Sequence, residues 1–180
     1  NFLQLRVSAW QELFLFAGTK AHAALSPEED AAMARVAVTP GIGAPSERHL
    51  VLHPKVLHVG IGCRRGAKAK EILEMVETSL AQLELSPGAV ASVASVDIKR
   101  NEKGLIEAAA ALGAPLRFFS AKELDTVPVT SPSPKAREVL GIDGVCEAAA
   151  ILAAGNGAVL RMPKVAARGV TKALAEEETD

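Results

Sequence analysis

The segment spanning residues 56–83 constrains the fold more than any other part of the chain. An apolar run over residues 56–59 predicts a buried strand that ends at Gly60. Residues 70–83 carry apolar side chains at helical spacing on an otherwise charged segment, which predicts an amphipathic helix. A strand that runs through a short turn into a helix is the repeating unit of α/β proteins with parallel sheets.

The turn between this strand and this helix has the composition of an anion-binding loop. Its glycines permit close approach of the main chain, and the positive end of the following helix attracts carboxylates and phosphates. Two arginines add forked, charge-assisted hydrogen bonds. The spacing G-x-G-x-x-x-G matches neither the dinucleotide fingerprint nor a P-loop. We predict an anion site here, and the alternative is a tight turn with solvated arginines. The residues concerned are Gly60, Gly62, Cys63, Arg64, Arg65 and Gly66.

The later segments alternate in the same way. Strands are predicted over residues 90–98, 116–119, 159–162 and 170–174, and helices over 104–112, 136–140 and 145–154. A capping box at Ser120–Glu123 starts a short helical turn, and a proline-rich loop spans residues 125–134. The pattern predicts an α/β fold, a three-layer sandwich with a largely parallel sheet, preceded by a short N-terminal remnant and a linker. Ligands bind such sheets at the carboxyl ends of the strands.

Four stretches are expected along the chain. Residues 1–38 are interpreted as the remnant of a preceding region, with an apolar stretch over 2–17 and a helix from Ser26 to about Val36. Residues 39–54 form a linker, 55–176 the main domain and 177–180 an acidic tail. Because the first residue, Asn1, lies in an apolar stretch, we expect a piece of a longer polypeptide.

Composition argues against several function classes. Twenty Lys and Arg nearly cancel 21 Asp and Glu, and five Phe with one Trp leave little for base stacking, so no nucleic acid is expected as a partner. No apolar run reaches the length of a membrane-spanning helix and no signal peptide is evident, so we expect a cytoplasmic protein with no membrane partner. Two cysteines and four histidines without zinc-ligand spacing predict no protein-bound metal.

A second polar segment follows the strand predicted over residues 90–98. Asp97 and Lys99 alternate with apolar neighbours, so they are expected on one face of the strand end, where a carboxylate and an ammonium could orient a substrate or move a proton. An ordinary solvated strand end explains the same residues. Glu102 is a further catalytic candidate, and it could also only complement the dipole of the next helix.

Three other groups are candidates for the same cleft. Cys63, close to arginines and a helix amino end, is interpreted as a small residue tolerated in a tight turn; the alternative is a lowered thiol pKa and a role as a nucleophile or metal contact. Ser120 follows a strand end, and Lys164, together with Arg168, could add positive charge to the rim or lie in a solvated turn. His58, inside a strand, is interpreted as structural.

Five motifs occur in an order that resembles a known family. They are Gly60-Ile61-Gly62-Cys63-Arg64-Arg65-Gly66; Val96-Asp97-Ile98-Lys99 with Glu102-Gly104-Leu105; residues 116–124; Val145-Cys146-Glu147-Ala148-Ala149; and Met162-Pro163-Lys164. Together they are similar to the carboxyl-terminal domain of the cobalamin biosynthesis protein CbiG, which is shared with CobE. The resemblance covers about residues 50–174 and makes residues 55–176 a domain of CbiG/CobE type.

The resemblance implies a role in building the corrin ring. The CbiG family is cobalt-precorrin-5A hydrolase, which opens a δ-lactone and releases a two-carbon fragment as acetaldehyde to give cobalt-precorrin-5B. Such a substrate carries carboxylates around its rim, which suits Arg64, Arg65, Lys99 and Lys164. Asp97 or Glu102 would activate water, and the amides of residues 60–66 would stabilise an oxyanion. The cobalt belongs to the substrate, so no cofactor of the protein itself is expected.

Two alternatives to the hydrolase stay open. A CobE-like protein would bind or carry corrinoids without turnover, and a phosphate- or nucleotide-binding α/β module remains if the resemblance misleads. Full CbiG proteins have a sizeable region before this domain, where essential catalytic residues could lie. Besides the cobalt-precorrin substrate, candidate partners are neighbouring corrin-pathway enzymes; the sequence leaves the oligomeric state open, with a homodimer as one candidate.

Overall fold

A computed structural model of the protein describes residues 35–43 and 49–178. The chain divides into two compact units between Pro54 and Lys55. In the first unit, strands β1 (Arg35–Val38) and β2 (His49–Leu52) pair in parallel, and the Thr39 N–H donates to the Leu52 carbonyl oxygen at 3.0 Å.

These two strands correct the sequence interpretation of this region. Residues 35 and 36, expected at the end of a helix, belong to strand β1, and the stretch interpreted as a linker contains β2. A single short strand cannot satisfy its own backbone groups, and pairing of residues 35–38 with 49–52 supplies the partners that an irregular linker would lack. The apolar stretch over residues 2–17 and the start of the predicted helix lie outside the described residues.

The second unit contains the remaining elements. They are β3 (Leu57–Cys63), α1 (Ala69–Gln82), β4 (Val90–Val96), α2 (Lys103–Ala111), β5 (Leu116–Phe119), α3 (Ala121–Leu124), α4 (Pro134–Leu140), α5 (Cys146–Ala154), β6 (Val159–Ala167) and β7 (Val170–Glu176), with 3₁₀ turns at Pro87–Ala89 and Asp97–Lys99. The helices and strands predicted within residues 55–176 therefore all exist, most within two residues of their expected bounds.

One five-stranded sheet organises this unit, in the order β5-β4-β3-β7-β6. Strands β5, β4 and β3 are parallel, whereas β7 pairs antiparallel with both β3 and β6. The α/β prediction is confirmed, with a mixed sheet whose antiparallel part is the terminal hairpin. Because Cys63 pairs with Val170, the turn of that hairpin lies at the same edge as the carboxyl ends of β3 and β4.

Helices cover both faces of the sheet, so the predicted three layers are present. Helices α1 and α2 bury an apolar stripe on one face; its fully buried members include Ile72, Val76, Leu80 and Leu105. The alanine-rich α5 covers the other face, and the small side chains of Ala148, Ala149 and Ala153 let it lie close to the strands. Burial of these surfaces supplies the main driving force for folding.

Three boundaries differ from the sequence prediction. β3 does not end at Gly60 but continues through Gly62 to Cys63. β6 continues through Pro163 to Ala167; a proline is tolerated there because β6 is an edge strand with irregular register around residues 162–165. Residues 97–99 form a 3₁₀ turn, so the expected strand over 90–98 stops at Val96.

Candidate functional site

A cleft of about 610 Å³ lies beyond the carboxyl ends of β3 and β4. It is formed by the β3–α1 loop and the turn between β4 and α2, and both helices present their first residues to it. Backbone N–H groups at the start of a helix have no intrahelical acceptor, so both walls favour negative charge. The lining residues are Arg65, Gly66, Ala67, Lys68, Ala69, Ile98, Asn101, Glu102, Lys103, Gly104 and Glu107.

Two glycines allow the walls of the cleft to approach each other. Gly66 has a φ of +71°, a left-handed conformation that turns the chain from β3 into α1. Gly104, in the first turn of α2, lies so close to the Ala67 carbonyl oxygen that a Cβ atom would collide with it. Glycine at position 104 therefore sets the distance between the start of α2 and the β3–α1 loop.

The Glu102 carboxylate connects the two walls. Its Oε1 accepts a hydrogen bond of 2.8 Å from the Gly66 N–H, and its Oε2 lies 3.7 Å from Lys99 Nζ. The side chains of Lys99 and Glu102 are 17% and 12% exposed, so this ion pair is shielded more than a surface pair. Glu102 is the N-cap residue of α2, yet its side chain does not cap that helix.

Cys63 lies beside this pair at the end of β3. Burial raises the pKa of its thiol; the charges of Lys99 and Arg64 oppose the rise, and the Glu102 carboxylate adds to it. Cys63 does not lie in a tight turn as interpreted, because it is the last residue of β3 and its side chain is packed against the core. The alternative, a lowered thiol pKa, is wrong as well.

The two arginines of the loop have different environments. Arg64 donates from Nη2 to both carboxylate oxygens of Glu71, at 3.2 and 3.0 Å, and from Nη1 to the Arg168 carbonyl oxygen. The Lys68 N–H and the Arg64 guanidinium lower the pKa of Glu71. Arg65 is exposed and lines the cleft. Arg64 thus braces the loop against α1 and the hairpin turn, while Arg65 faces the cleft.

Asp97 and Lys99 do not share a strand face. Because residues 97–99 form a 3₁₀ turn, the alternation of side chains that holds for a strand does not apply to them. In this turn Lys99 lies close enough to Glu102 for the ion pair described above. The Asp97 side chain is half-buried and forms no hydrogen bond or ion pair with the other residues that the structure describes.

Gly60 and Gly62 lie inside β3, on the face that α5 covers. A Cβ atom on Gly60 would collide with the backbone of α5 at Cys146 and Ala150, and one on Gly62 would approach Thr171 Oγ1 to 2.5 Å. These two glycines serve close packing between helix and strand and are absent from the lining of the cleft. Of the glycines in the motif, Gly66 alone is in that lining.

Ser120 and Lys164 have other partners and are likewise absent from the lining. Ser120 caps α3: its Oγ accepts from the Glu123 N–H at 3.2 Å, and Glu123 accepts from the Ser120 N–H at 2.7 Å, which confirms the predicted capping box. Lys164 Nζ donates to the carbonyl oxygens of Ser131 and Pro132, at 2.5 and 2.7 Å. This lysine anchors the loop that precedes α4.

Several residues of the cleft were missed by the sequence interpretation. Lys68 is the N-cap residue of α1 and Lys103 is the first residue of α2, positions at which a charged side chain is typical of a solvated helix end. Ile98 and Asn101 belong to the turn after β4. The available signal was positional: in parallel β-α units the first turn of each helix lies at the same edge as the carboxyl ends of the strands. His58 is buried and contacts Ser92 Oγ at 2.8 Å and Glu177 Oε1 at 2.7 Å, as a structural residue would.

The described ranges, 35–43 and 49–178, contain no group of three or more His, Cys, Asp or Glu side chains placed to hold a metal ion. Within the same ranges no helix has the length and apolar character needed to cross a membrane. The lining of the cleft itself contains backbone N–H groups at two helix starts and charged side chains.

Comparison with known proteins assigns this domain to a family. Residues 57–175 match the family model described as cobalamin synthesis G C-terminus. The chain belongs to the CbiG C-terminal family. A cobalt-precorrin-5A hydrolase from Priestia megaterium is 36% identical over 109 residues, which are 61% of this chain and 29% of the relative. The chain thus spans less than a third of the length of that curated relative.

Proteins named CobE are also similar to this member of the CbiG C-terminal family. Protein CobE of Sinorhizobium sp is 33% identical over 140 residues, covering 75% of this chain and 91% of the relative. The crystal structure of CobE, described as a protein from the cobalamin biosynthetic pathway, superimposes with a TM-score of 0.65 at 34% identity, covering 71% of this chain and 94% of CobE. The structure of a cobalamin biosynthesis protein from Agrobacterium tumefaciens str. C58 gives a TM-score of 0.55 at 30% identity, covering 69% and 100% of the two chains.

Proposed function

We propose that the cleft binds the carboxylate-rich rim of a cobalt-precorrin and that this chain acts as part of a cobalt-precorrin-5A hydrolase. The observation that carries the proposal is the convergence of two helix amino ends and several cations on one cleft in a member of the CbiG C-terminal family. The cations are Arg65, Lys68, Lys103 and, just behind the lining, Lys99.

The chemistry of the cleft suits a flat, polyanionic ligand. Acetate and propionate groups project from the edge of a precorrin, and each can accept hydrogen bonds from free N–H groups at the start of α1 or α2. Arg65 presents a planar fork to a carboxylate, and the side chain of Ile98, 62% exposed, offers an apolar contact for the macrocycle. The cobalt arrives within the substrate, so we propose no resident metal or cofactor.

Hydrolysis of the lactone needs a base for water and a group that stabilises the oxyanion. We assign the base to Asp97, whose half-buried carboxylate has no partner among the described residues; it is absent from the lining of the cleft but directly precedes the lining residue Ile98. Glu102 lines the cleft, but Gly66 and Lys99 hold its carboxylate. Water would give a proton to Asp97 and its oxygen to the lactone carbonyl carbon. The acyl C–O bond of the lactone then breaks and leaves an alkoxide on the two-carbon unit. This alkoxide becomes the carbonyl of acetaldehyde as the C–C bond that joins the unit to the macrocycle breaks, and the electron pair of that bond passes to the macrocycle.

A carrier of corrinoids is the second candidate. A single observation favours it: the chain covers 91% of the CobE of Sinorhizobium sp, but only 29% of the hydrolase from Priestia megaterium. If hydrolysis needs regions of the hydrolase that this chain does not match, the cleft would bind the tetrapyrrole without turning it over.

An optical titration with cobalt-precorrin-5A, followed in the same cuvette by an acetaldehyde assay coupled to alcohol dehydrogenase, tests both candidates. Binding with acetaldehyde release supports the hydrolase, and binding without release supports the carrier. Arg65→Ala is expected to weaken binding about threefold to tenfold, whereas the matched variant Arg161→Ala, whose guanidinium pairs with Glu176 on the terminal hairpin, leaves it unchanged. Equal affinities of the two variants and the wild type would place the site elsewhere.

A further inference from the structure

The Glu102 carboxylate contacts the N–H donor and the ammonium group that a bound anion would be expected to contact. The Gly66 N–H is a backbone donor in the part of the β3–α1 loop that lines the cleft, and Glu102 accepts from it at 2.8 Å. The Lys99 ammonium is the cation nearest to the other carboxylate oxygen, at 3.7 Å. A carboxylate from the chain itself therefore satisfies one backbone donor and one cation at the edge of the cleft.

The position of Glu102 makes this arrangement notable. An N-cap side chain ordinarily accepts a hydrogen bond from its own helix, and Glu102 leaves the first N–H groups of α2 to other acceptors. It reaches instead to a loop 36 residues earlier in the sequence. This contact brings a negative charge into a cleft whose other charged lining residues are Arg65, Lys68, Lys103 and Glu107.

We propose that the Gly66 N–H and Lys99 Nζ form a carboxylate subsite, which Glu102 occupies until a carboxylate of the ligand displaces it. The inference rests on the proposed function, because it assumes that polycarboxylate tetrapyrroles bind in this cleft. It adds a competing internal anion: the ligand exchanges one carboxylate for another on the same two donors, and Glu102 rotates away about its flexible side chain.

The balance between the two carboxylates follows from their surroundings. The 3.7 Å separation of Lys99 and Glu102 is longer than a direct charge-assisted hydrogen bond, so a ligand carboxylate can approach Lys99 more closely than Glu102 does. The low exposure of the pair strengthens whichever contact forms. Glu102 therefore lowers the affinity of the cleft for the ligand in two ways: it competes for the same two donors, and its negative charge repels the ligand carboxylates.

Cobyrinic acid, a stable corrin with free peripheral carboxylic acids, is the probe for this subsite, and its fully methylated ester is the uncharged control. Glu102→Gln keeps the shape of the side chain and an oxygen for the Gly66 N–H, but it releases Lys99. We expect Glu102→Gln to bind cobyrinic acid about tenfold more tightly than the wild type, with no change for the ester.

Glu107→Gln is the matched control. Glu107 lines the same cleft and its replacement removes the same charge, but this residue bonds neither Gly66 nor Lys99. We expect a gain of less than about threefold from this variant, the part that charge alone supplies. Adding Lys99→Met to Glu102→Gln should cancel most of the tenfold gain, because the ligand then finds no ammonium in the subsite.

The outcomes separate this inference from the proposed function. If Glu102→Gln binds cobyrinic acid no better than Glu107→Gln, while the wild type binds it, Glu102 is a fixed strut between the two loops; the inference fails and the cleft keeps its proposed role. If wild type and variants, all with unchanged melting temperatures, bind no cobyrinic acid, both proposals fail. An equal gain for the ester would also overturn the inference, since it would not involve a carboxylate.

Discussion

Glu102 and Glu147 both place a carboxylate near the carboxyl edge of the sheet, but they do so in opposite ways. Glu147, 2% exposed in the first turn of α5, accepts from the N–H groups of Thr130, Ser131 and Lys164, at 2.6, 3.1 and 2.7 Å, and from Thr130 Oγ1 at 3.0 Å. Glu102 has one N–H and one looser cation and borders open space.

The difference separates a polar cluster whose donors are all taken up within the fold from one that borders the cleft. Around Glu147 the chain supplies every donor, so the carboxylate fastens the loop before α4 to β6 and has no capacity for a substrate. Burial raises the pKa of Glu147, but the N–H groups of Lys164 and Ser131 and both groups of Thr130 outweigh it, and the net effect is a lowered pKa. Around Glu102 the donors are one N–H and one ammonium group, and the carboxylate that contacts them lines the cleft.

The largest expected effect contrasts two glycines of the same motif. Gly60→Ala would place a methyl group against the backbone of α5, which cannot yield as a flexible side chain would, and we expect a loss of about 4 kcal/mol in the free energy of unfolding. Gly66→Ala meets no atom within 4 Å and suffers only from its φ of +71°, so it should lose about 1 kcal/mol. Urea denaturation of both variants measures the difference.

Equal losses at the two positions would break the comparison. That result would mean that the packing of α5 against β3 adjusts easily to an added methyl group, as the β3–α1 loop does. A smaller loss for Gly60→Ala than for Gly66→Ala would contradict the packing role of the strand glycines outright.

The second effect compares the two glutamates directly. Glu147→Gln replaces one acceptor oxygen by an NH₂ group that faces backbone N–H donors, and we expect it to lower the free energy of unfolding by about 3 kcal/mol. Glu102→Gln retains the oxygen that Gly66 needs and should lose less than about 1 kcal/mol. Chemical denaturation at pH 7 gives both numbers.

The pH dependence of stability provides a check on the same pair. Because the folded pKa of Glu147 is lowered, its contribution is present above the ordinary carboxyl pKa of about 4.5 and is lost as the pH falls through the lowered value. The wild type should therefore lose more stability than Glu147→Gln between pH 5 and about pH 3. Parallel curves for the two proteins over this range would contradict the assignment.

Local sequence patterns were sufficient to predict the helices and strands whose apolar residues recur at a clear helical or strand spacing. The helix expected over residues 70–83 is found at Ala69–Gln82, and the strand expected over 116–119 is found at Leu116–Phe119. The continuation of β3 past Gly60 was not predictable in this way, because Gly60 permits a close contact with Cys146 and Ala150, which lie far along the chain. A glycine that allows close packing and one that allows a turn look alike in a single sequence.

In the candidate site, too, some residues were predictable from local pattern and others depend on tertiary contacts. Arg65, Gly66 and Glu102 were predicted from the strand–turn–helix pattern and all line the cleft. Lys164 was assigned to the same rim because it was expected to follow the end of a strand. Strand β6 instead continues through Pro163 to Ala167, and Lys164 donates to the Ser131 and Pro132 carbonyl oxygens. The partner of a charged side chain depends on tertiary contacts that periodicity does not contain.

The smallest expected effect extends the comparison to two lysines. Lys99 lies at the cleft beside a carboxylate, whereas Lys172 is 1% exposed in β7, with its Nζ 2.9 Å from Met162 Sδ. Burial lowers the pKa of Lys172 to about 8, and the Cys146 thiol acts weakly in the opposite direction. Lys172→Met should therefore increase the free energy of unfolding at pH 7 by about 2 kcal/mol, because an uncompensated buried charge is removed.

The sign of this effect can be followed with pH. Between pH 8 and about 10.5 the folded chain has released the Lys172 proton while the unfolded chain still binds it, so wild-type stability gains relative to Lys172→Met as the pH rises. Denaturation curves at pH 7 and 10 should thus show the advantage of the variant shrinking, with the exposed Lys70→Met as a control that changes little at either pH. An advantage that is the same at both pH values would mean that Lys172 keeps its proton in the fold, and that this lysine, like Lys99, has a compensating partner.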